Sequence, residues 1–246
     1  MPPTFDELLK QHYPNAMTET AFRLNVRERL IASQKIDISK TLLATSICAD
    51  DILATRDGDE THTFKDAVRK DFLGPFSMGG LAGLPYSGLT GMLAIAHHIP
   101  EGGALMLAYG PHIGISDQGE LGKLQRPGQS HESSACGALV LALEQLRAHV
   151  GPPPAYVDDD LEQSSLLRRL LPHREQILAA DCPLKTATDR VYAIIHELMQ
   201  QYVHARKAEF HCDYIALVGG IIINTSPEQD DYIDLRDFAL LPVAEL

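Results

Sequence analysis

The chain is short of three things: cysteine, positive charge and long apolar runs. Four cysteines in 246 residues do not make a disulfide scaffold. Lysine and arginine total 21 against 33 aspartates and glutamates, a formal net charge of −12. That balance argues against a nucleic-acid partner, which would want a basic face, and equally against an anionic membrane surface. The most apolar window, residues 78–99, contains Pro85, five glycines and two histidines, too polar and too broken for a membrane span. The N-terminus, with Pro2, Pro3, Asp6 and Glu7, lacks the apolar core of a secretory signal, so a cytoplasmic location is expected.

What is present is ordinary for a soluble enzyme, with 45% hydrophobic and 22% charged residues. Residues 1–35 read as a helical arm, with Phe5, Leu8 and Leu9 on one face and Phe22, Leu24, Val26 and Leu30 following a break near Pro14. The run from Lys35 to Cys48 turns into a strand ending at the cysteine, and a short helical stretch is expected around Phe64 to Phe72. The glycine-rich segment Gly79 to Gly91 feeds a helix through His98. Ala104 to Tyr109 reads as a strand and 114–129 as a loop, with a helix starting at Ser134. Gly151-Pro152-Pro153-Pro154 is the clearest break, followed by a helix capped by Asp158 to Asp160. Thr188 to Arg206 has helical spacing, and Tyr214 to Ile223 reads as a buried strand interrupted by Gly219-Gly220. This alternation predicts an α/β domain, a central sheet flanked by helices, with its site at strand ends. A single zinc-binding domain over 1–246 is expected.

Three residues carry the chemistry. Cys48, His112 and Cys136 supply two thiolates and an imidazole, a ligand set for zinc that leaves the fourth tetrahedral position open. Separations of 64 and 24 residues exclude a zinc-finger knuckle, so a packed core must bring them together. Each alone is unremarkable, since a cysteine at a strand end is ordinarily a small buried hydrophobe. Zinc in such a set lowers the pKa of a bound water from ~15.7 toward 7. Asp50, two residues after Cys48, is placed to accept a hydrogen bond from that water, or to occupy the fourth position itself unless a cation draws it away. Arg56 is the nearest arginine in sequence, and Arg69 is a fallback. His211 and Cys212 form a rival metal pair.

The Gly79 to Gly91 segment lacks the lysine of a phosphate loop and the spacing of a dinucleotide fingerprint. Its expected role is close backbone packing beside the metal, with main-chain N–H groups available to an anion. Gly83, Tyr86 and His98 are pocket or proton-relay candidates. A zinc deaminase is disfavoured, because the chain lacks that class's His-x-Glu and Pro-Cys-x-x-Cys pairing.

The ordered set Cys48-Ala49-Asp50-Asp51, Gly79 to Gly88, His98-Ile99-Pro100, Tyr109 to Gly114, Ala135 to Ala138 and Ala216 to Ile221 resembles the limiting-CO2-inducible protein B family, the theta-class carbonic anhydrases. The similarity runs from about Lys40 to Thr225. It implies a β-carbonic-anhydrase-like fold, zinc on Cys48, His112 and Cys136, an aspartate–arginine dyad beginning at Asp50, and a homodimer. The function it implies is reversible hydration of CO2 to bicarbonate by a zinc-bound hydroxide; the alternative is a non-catalytic, zinc-containing subunit that binds bicarbonate or a partner. The chain departs from the ordinary β-class pattern at one place. The arginine two residues after the aspartate is replaced by Ile52.

Overall fold

The computed structural model describes residues 3–53, 69–126, 128–226 and 229–246. Helix α1 (Phe5–His12) opens on a capping box: Glu7 N–H donates to the Thr4 hydroxyl at 3.3 Å, and Thr4 N–H donates to the Glu7 carboxylate at 2.8 Å. Helix α2 (Glu19–Ser33) buries Phe22, Val26 and Leu30, three residues spaced by four on one face. Between them, strand β1 (Met17–Thr18) pairs antiparallel with β9 (Tyr232–Pro242), which ties the N-terminal arm to a sheet edge.

The sheet is built on parallel strands. β2 (Thr41–Ser46), β3 (Leu73–Ser77), β4 (Ala104–Tyr109) and β8 (Tyr214–Asn224) run in the spatial order β3-β2-β4-β8, with β9 antiparallel beside β8. Every residue of β2 and β4 is buried, which is why both read as continuous apolar or small runs rather than alternating ones. Helices α3 (Gly88–His98), α4 (Gly137–Ala148), α5 (Leu161–Leu170), α6 (Arg174–Leu178) and α7 (Pro183–Ala205) complete the α/β arrangement. Among the described residues, no helix is long and apolar enough to cross a membrane.

Two details position the site. After β4 the chain steps sideways at Gly110-Pro111 and resumes as β5 (His112–Gly114), which pairs in parallel with the far end of β8, His112 opposite Ile222. Gly110 makes that step by lying against the Gly220 carbonyl, in space a Cβ would occupy. β8 itself is one continuous strand; Gly219-Gly220 marks a register shift against β9 rather than a break.

Several expectations are corrected. The 114–129 loop contains β6 (Lys123–Gln125), which forms an antiparallel ribbon with β7 (Glu132–Ser134). The helix expected from Ser134 begins at Gly137, because 132–134 are committed to that ribbon. β3 and β9 were not anticipated, and the helical stretch expected at 64–72 falls largely outside the described residues, with Leu73 already in a strand.

Candidate metal centre

Each of the three ligands sits at the end of a secondary-structure element. Cys48 lies two residues past β2, His112 is the first residue of β5, and Cys136 is the N-cap of α4. All three are buried, and their ligating atoms lie within 4.8 Å of one another. Among the described residues this is the one such group of three. His211 is exposed, and the Cys212 thiol is spent on the Tyr214 carbonyl at 3.5 Å, so the rival pair does not assemble.

The two sulfurs are 3.8 Å apart, far beyond the ~2.05 Å of a disulfide. A tetrahedral zinc with bonds of ~2.3 Å to two thiolates holds them about 3.8 Å apart. His112 Nε2 is fully buried and has no hydrogen-bond partner. An orphaned lone pair facing two thiols is costly as it stands and is satisfied by a metal. The donor set therefore fits zinc.

Without metal, the three groups share protons unevenly. The hydrogen bond with Cys136, then burial, pushes the Cys48 thiol above its ordinary range. The same bond, aided by the Leu139 and Ala138 N–H groups at the start of α4, holds Cys136 low against the opposing effect of burial. Burial opposes charging of His112, but Cys48, Asp50 and Asn224 together outweigh it and raise its pKa.

Asp50 sits beside this cluster, Oδ2 lying 3.7 Å from His112 Nε2. Its carboxylate is gripped from outside. Arg126 Nη1 donates to Oδ1 at 2.7 Å and Nη2 to Oδ2 at 2.9 Å, and the Ile52 N–H donates to Oδ1 at 3.1 Å. Arg126 is itself held on the β6–β7 ribbon, through Nε to the Ser133 hydroxyl at 3.0 Å and Nη2 to the Ser134 carbonyl at 3.2 Å. Arg126 is thus a bidentate partner of Asp50. Arg56 lies outside the described residues, and the fallback Arg69 is exposed.

The remaining pocket candidates divide. Gly83 packs against the cluster: a Cβ there would come within 2.5 Å of the Gly110 carbonyl and 3.4 Å of Cys48 N. Tyr86 follows in the same segment, its hydroxyl donating to the Glu162 carbonyl at 2.6 Å, with burial and the Glu162 charge raising its pKa. His98 is at the opposite end of α3 from the glycine segment, exposed and against Phe76 at 6.0 Å between ring centroids. An 11-residue helix is ~16 Å long, so the relay expectation for His98 is not met. Three main-chain N–H groups of the glycine segment are engaged within the protein. Leu81 N–H donates to Glu162 Oε2 at 2.7 Å, while the Gly80 and Gly83 N–H groups donate to the Leu84 and Gly80 carbonyls.

Behind the imidazole lie two residues that sequence reasoning missed. Asn224 Oδ1 accepts from His112 Nδ1 at 2.7 Å, and Asn224 Nδ2 donates to Asp231 Oδ2 at 2.9 Å. Asn224 and Asp231 are both buried. Burial pushes the Asp231 carboxyl up to about 7, opposed by the Thr225 N–H and by Asn224.

No curated protein matches the chain. Among solved structures, PtLCIB4, a homolog of the limiting CO2-inducible protein LCIB, is 32% identical with a TM-score of 0.84, over 96% of this chain and 95% of that one. A single-residue mutant of PtLCIB4 gives 30% identity and a TM-score of 0.85, over 96% and 93%. LCIB itself, at 19% identity, shares the fold with a TM-score of 0.70 over 96% and 97%. Residues 16–241 match the family described as limiting CO2-inducible proteins B/C beta carbonic anhydrases. With that match spanning most of its length, the chain belongs to the limiting CO2-inducible protein B/C family of β-carbonic-anhydrase-like proteins.

Proposed function

We propose that this protein is a zinc-dependent carbonic anhydrase, interconverting CO2 and bicarbonate. One observation carries the reading: a carboxylate stands beside a Cys–His–Cys cluster but is held off it by a bidentate arginine. Cys48, His112 and Cys136 hold the zinc, which supplies the Lewis acidity that makes water a nucleophile near neutral pH.

The chain's own residues do the rest. Asp50 Oδ2, the carboxylate atom 3.7 Å from His112 Nε2, accepts a hydrogen bond from the attacking water and turns its lone pair toward the CO2 carbon. Arg126 fixes the rotamer of Asp50, so it is a positioning residue. The Asp50 side chain is 13% exposed, which leaves the released proton an exit to solvent beside it. Gly83 lets the backbone approach Cys48 without a side chain between them. The homodimer belongs to this proposal and is read by sedimentation. Stopped-flow CO2 hydration on protein of measured zinc content tests the function, and a zinc-loaded protein without activity would favour a bicarbonate- or partner-binding subunit instead.

A further inference from the structure

We propose that Asp231, acting through Asn224, sets which ring nitrogen of His112 carries the proton and thereby keeps Nε2 free to bind metal. Asp231 is a positioning residue; the metal clause of this inference rests on the zinc reading above, while the tautomer clause does not.

Donors and acceptors fix the order of the hydrogen bonds. Above about pH 7, where Asp231 has given up its proton, its carboxylate only accepts, whereas an amide has one accepting end and one donating end. Asp231 takes two N–H groups, Thr225 N–H on Oδ1 at 3.1 Å and Asn224 Nδ2 on Oδ2 at 2.9 Å. Because Oδ2 accepts, Asn224 must turn its NH2 toward Asp231 and its Oδ1 toward His112. Because Oδ1 of Asn224 accepts, His112 must carry its proton on Nδ1, at 2.7 Å. The Nε2 lone pair is then left facing Cys48 and Cys136, and that nitrogen is a buried atom without a hydrogen-bond partner. Neither end of the chain of bonds is free to slip. The Asp231 carbonyl accepts from Glu19 N–H at 2.9 Å, and the Thr225 hydroxyl donates to the Gln229 carbonyl at 3.1 Å and bonds the Asp230 carbonyl at 3.2 Å. Partners of this kind, one layer behind a ligand, are typically worth 10–100-fold in metal affinity.

Isosteric swaps test this without opening a cavity. In Asp231→Asn the new amide must give its oxygen to Thr225 N–H, so its NH2 faces position 224. Asn224 then has to flip, presenting its own NH2 to His112 and driving the proton to Nε2. In the double variant Asn224→Asp/Asp231→Asn the order is reversed. The carboxylate at 224 accepts from both His112 Nδ1 and the NH2 at 231, and the original tautomer returns. The readouts are ¹⁵N spectra of the zinc-free proteins at a pH where the imidazole is neutral, and zinc affinity by chelator competition. The expected pattern is the proton on Nδ1 in the parent and the double variant but on Nε2 in Asp231→Asn, with zinc affinity down about 10–100-fold in Asp231→Asn and recovered in the double variant. The proton on Nδ1 in all three proteins, or zinc affinity equal in all three, overturns the inference. A parent protein that binds no zinc overturns the zinc reading, and the tautomer pattern is then judged alone.

Discussion

Arg126 holds Asp50 through both terminal guanidinium nitrogens, at 2.7 and 2.9 Å, although 76 residues separate them in the chain. The pair joins the loop after β2 to the β6–β7 ribbon, so the carboxylate beside the Cys–His–Cys cluster is aimed by an element that supplies none of the three candidate ligands. Four consequences can be measured.

Removing the guanidinium frees the carboxylate. Arg126→Ala should retain zinc but lower CO2 hydration on the order of 10²-fold, the scale of misplacing a catalytic group by about 1 Å. A crystal structure should show Asp50 moved toward the fourth coordination position. Unchanged turnover with Asp50 in place would remove Arg126 from the mechanism.

Arg56→Ala is the matching control. On the reading that the bidentate Arg126 pair is what aims Asp50, its hydration rate should stay within about threefold of the parent. A loss comparable to that of Arg126→Ala would return the dyad role to Arg56.

Zinc content should be about one per chain and should vanish in the Cys48→Ala/Cys136→Ala variant. Elemental analysis checks both statements. Equal zinc in the variant would place the metal elsewhere.

Zinc affinity should rise with pH. In the zinc-free protein Cys48 and His112 both hold their protons to higher pH than usual, while Cys136 gives its proton up early. Zinc needs the thiolate of Cys48 and the neutral ring of His112, so binding expels those two protons and is favoured as pH increases. The log of the affinity should climb with pH through the neutral range. A flat profile would show that the ligands are already deprotonated.

The clustering of the three candidate ligands was legible because each lies where a regular element ends in a short, distinctive run: a strand into Cys48, a strand and Gly-Pro into His112, Cys136 into a helix. The buried parallel strands β2, β4 and β8 announced themselves by runs of apolar and small residues. Arg126 was not legible. Its partnership depends on a ribbon of two three-residue strands, too short and too polar for a period-two signal. β9 escaped for a related reason: Asp234, Arg236 and Asp237 break its apolar pattern, and its pairing partner is what makes it a strand. Asn224 and Asp231 carry no local signal at all, since their role exists only once β8 places Asn224 behind His112.

The central claim is that Asp50 acts on water at a zinc held by Cys48, His112 and Cys136. Stopped-flow CO2 hydration of the parent and of Asp50→Asn, each carrying the same measured zinc, tests it most directly. The account predicts a rate proportional to zinc in the parent and a fall on the order of 10²-fold or more in Asp50→Asn at equal zinc. Zinc-loaded parent protein that hydrates CO2 no faster than zinc-stripped protein, or Asp50→Asn that matches the parent, would contradict it.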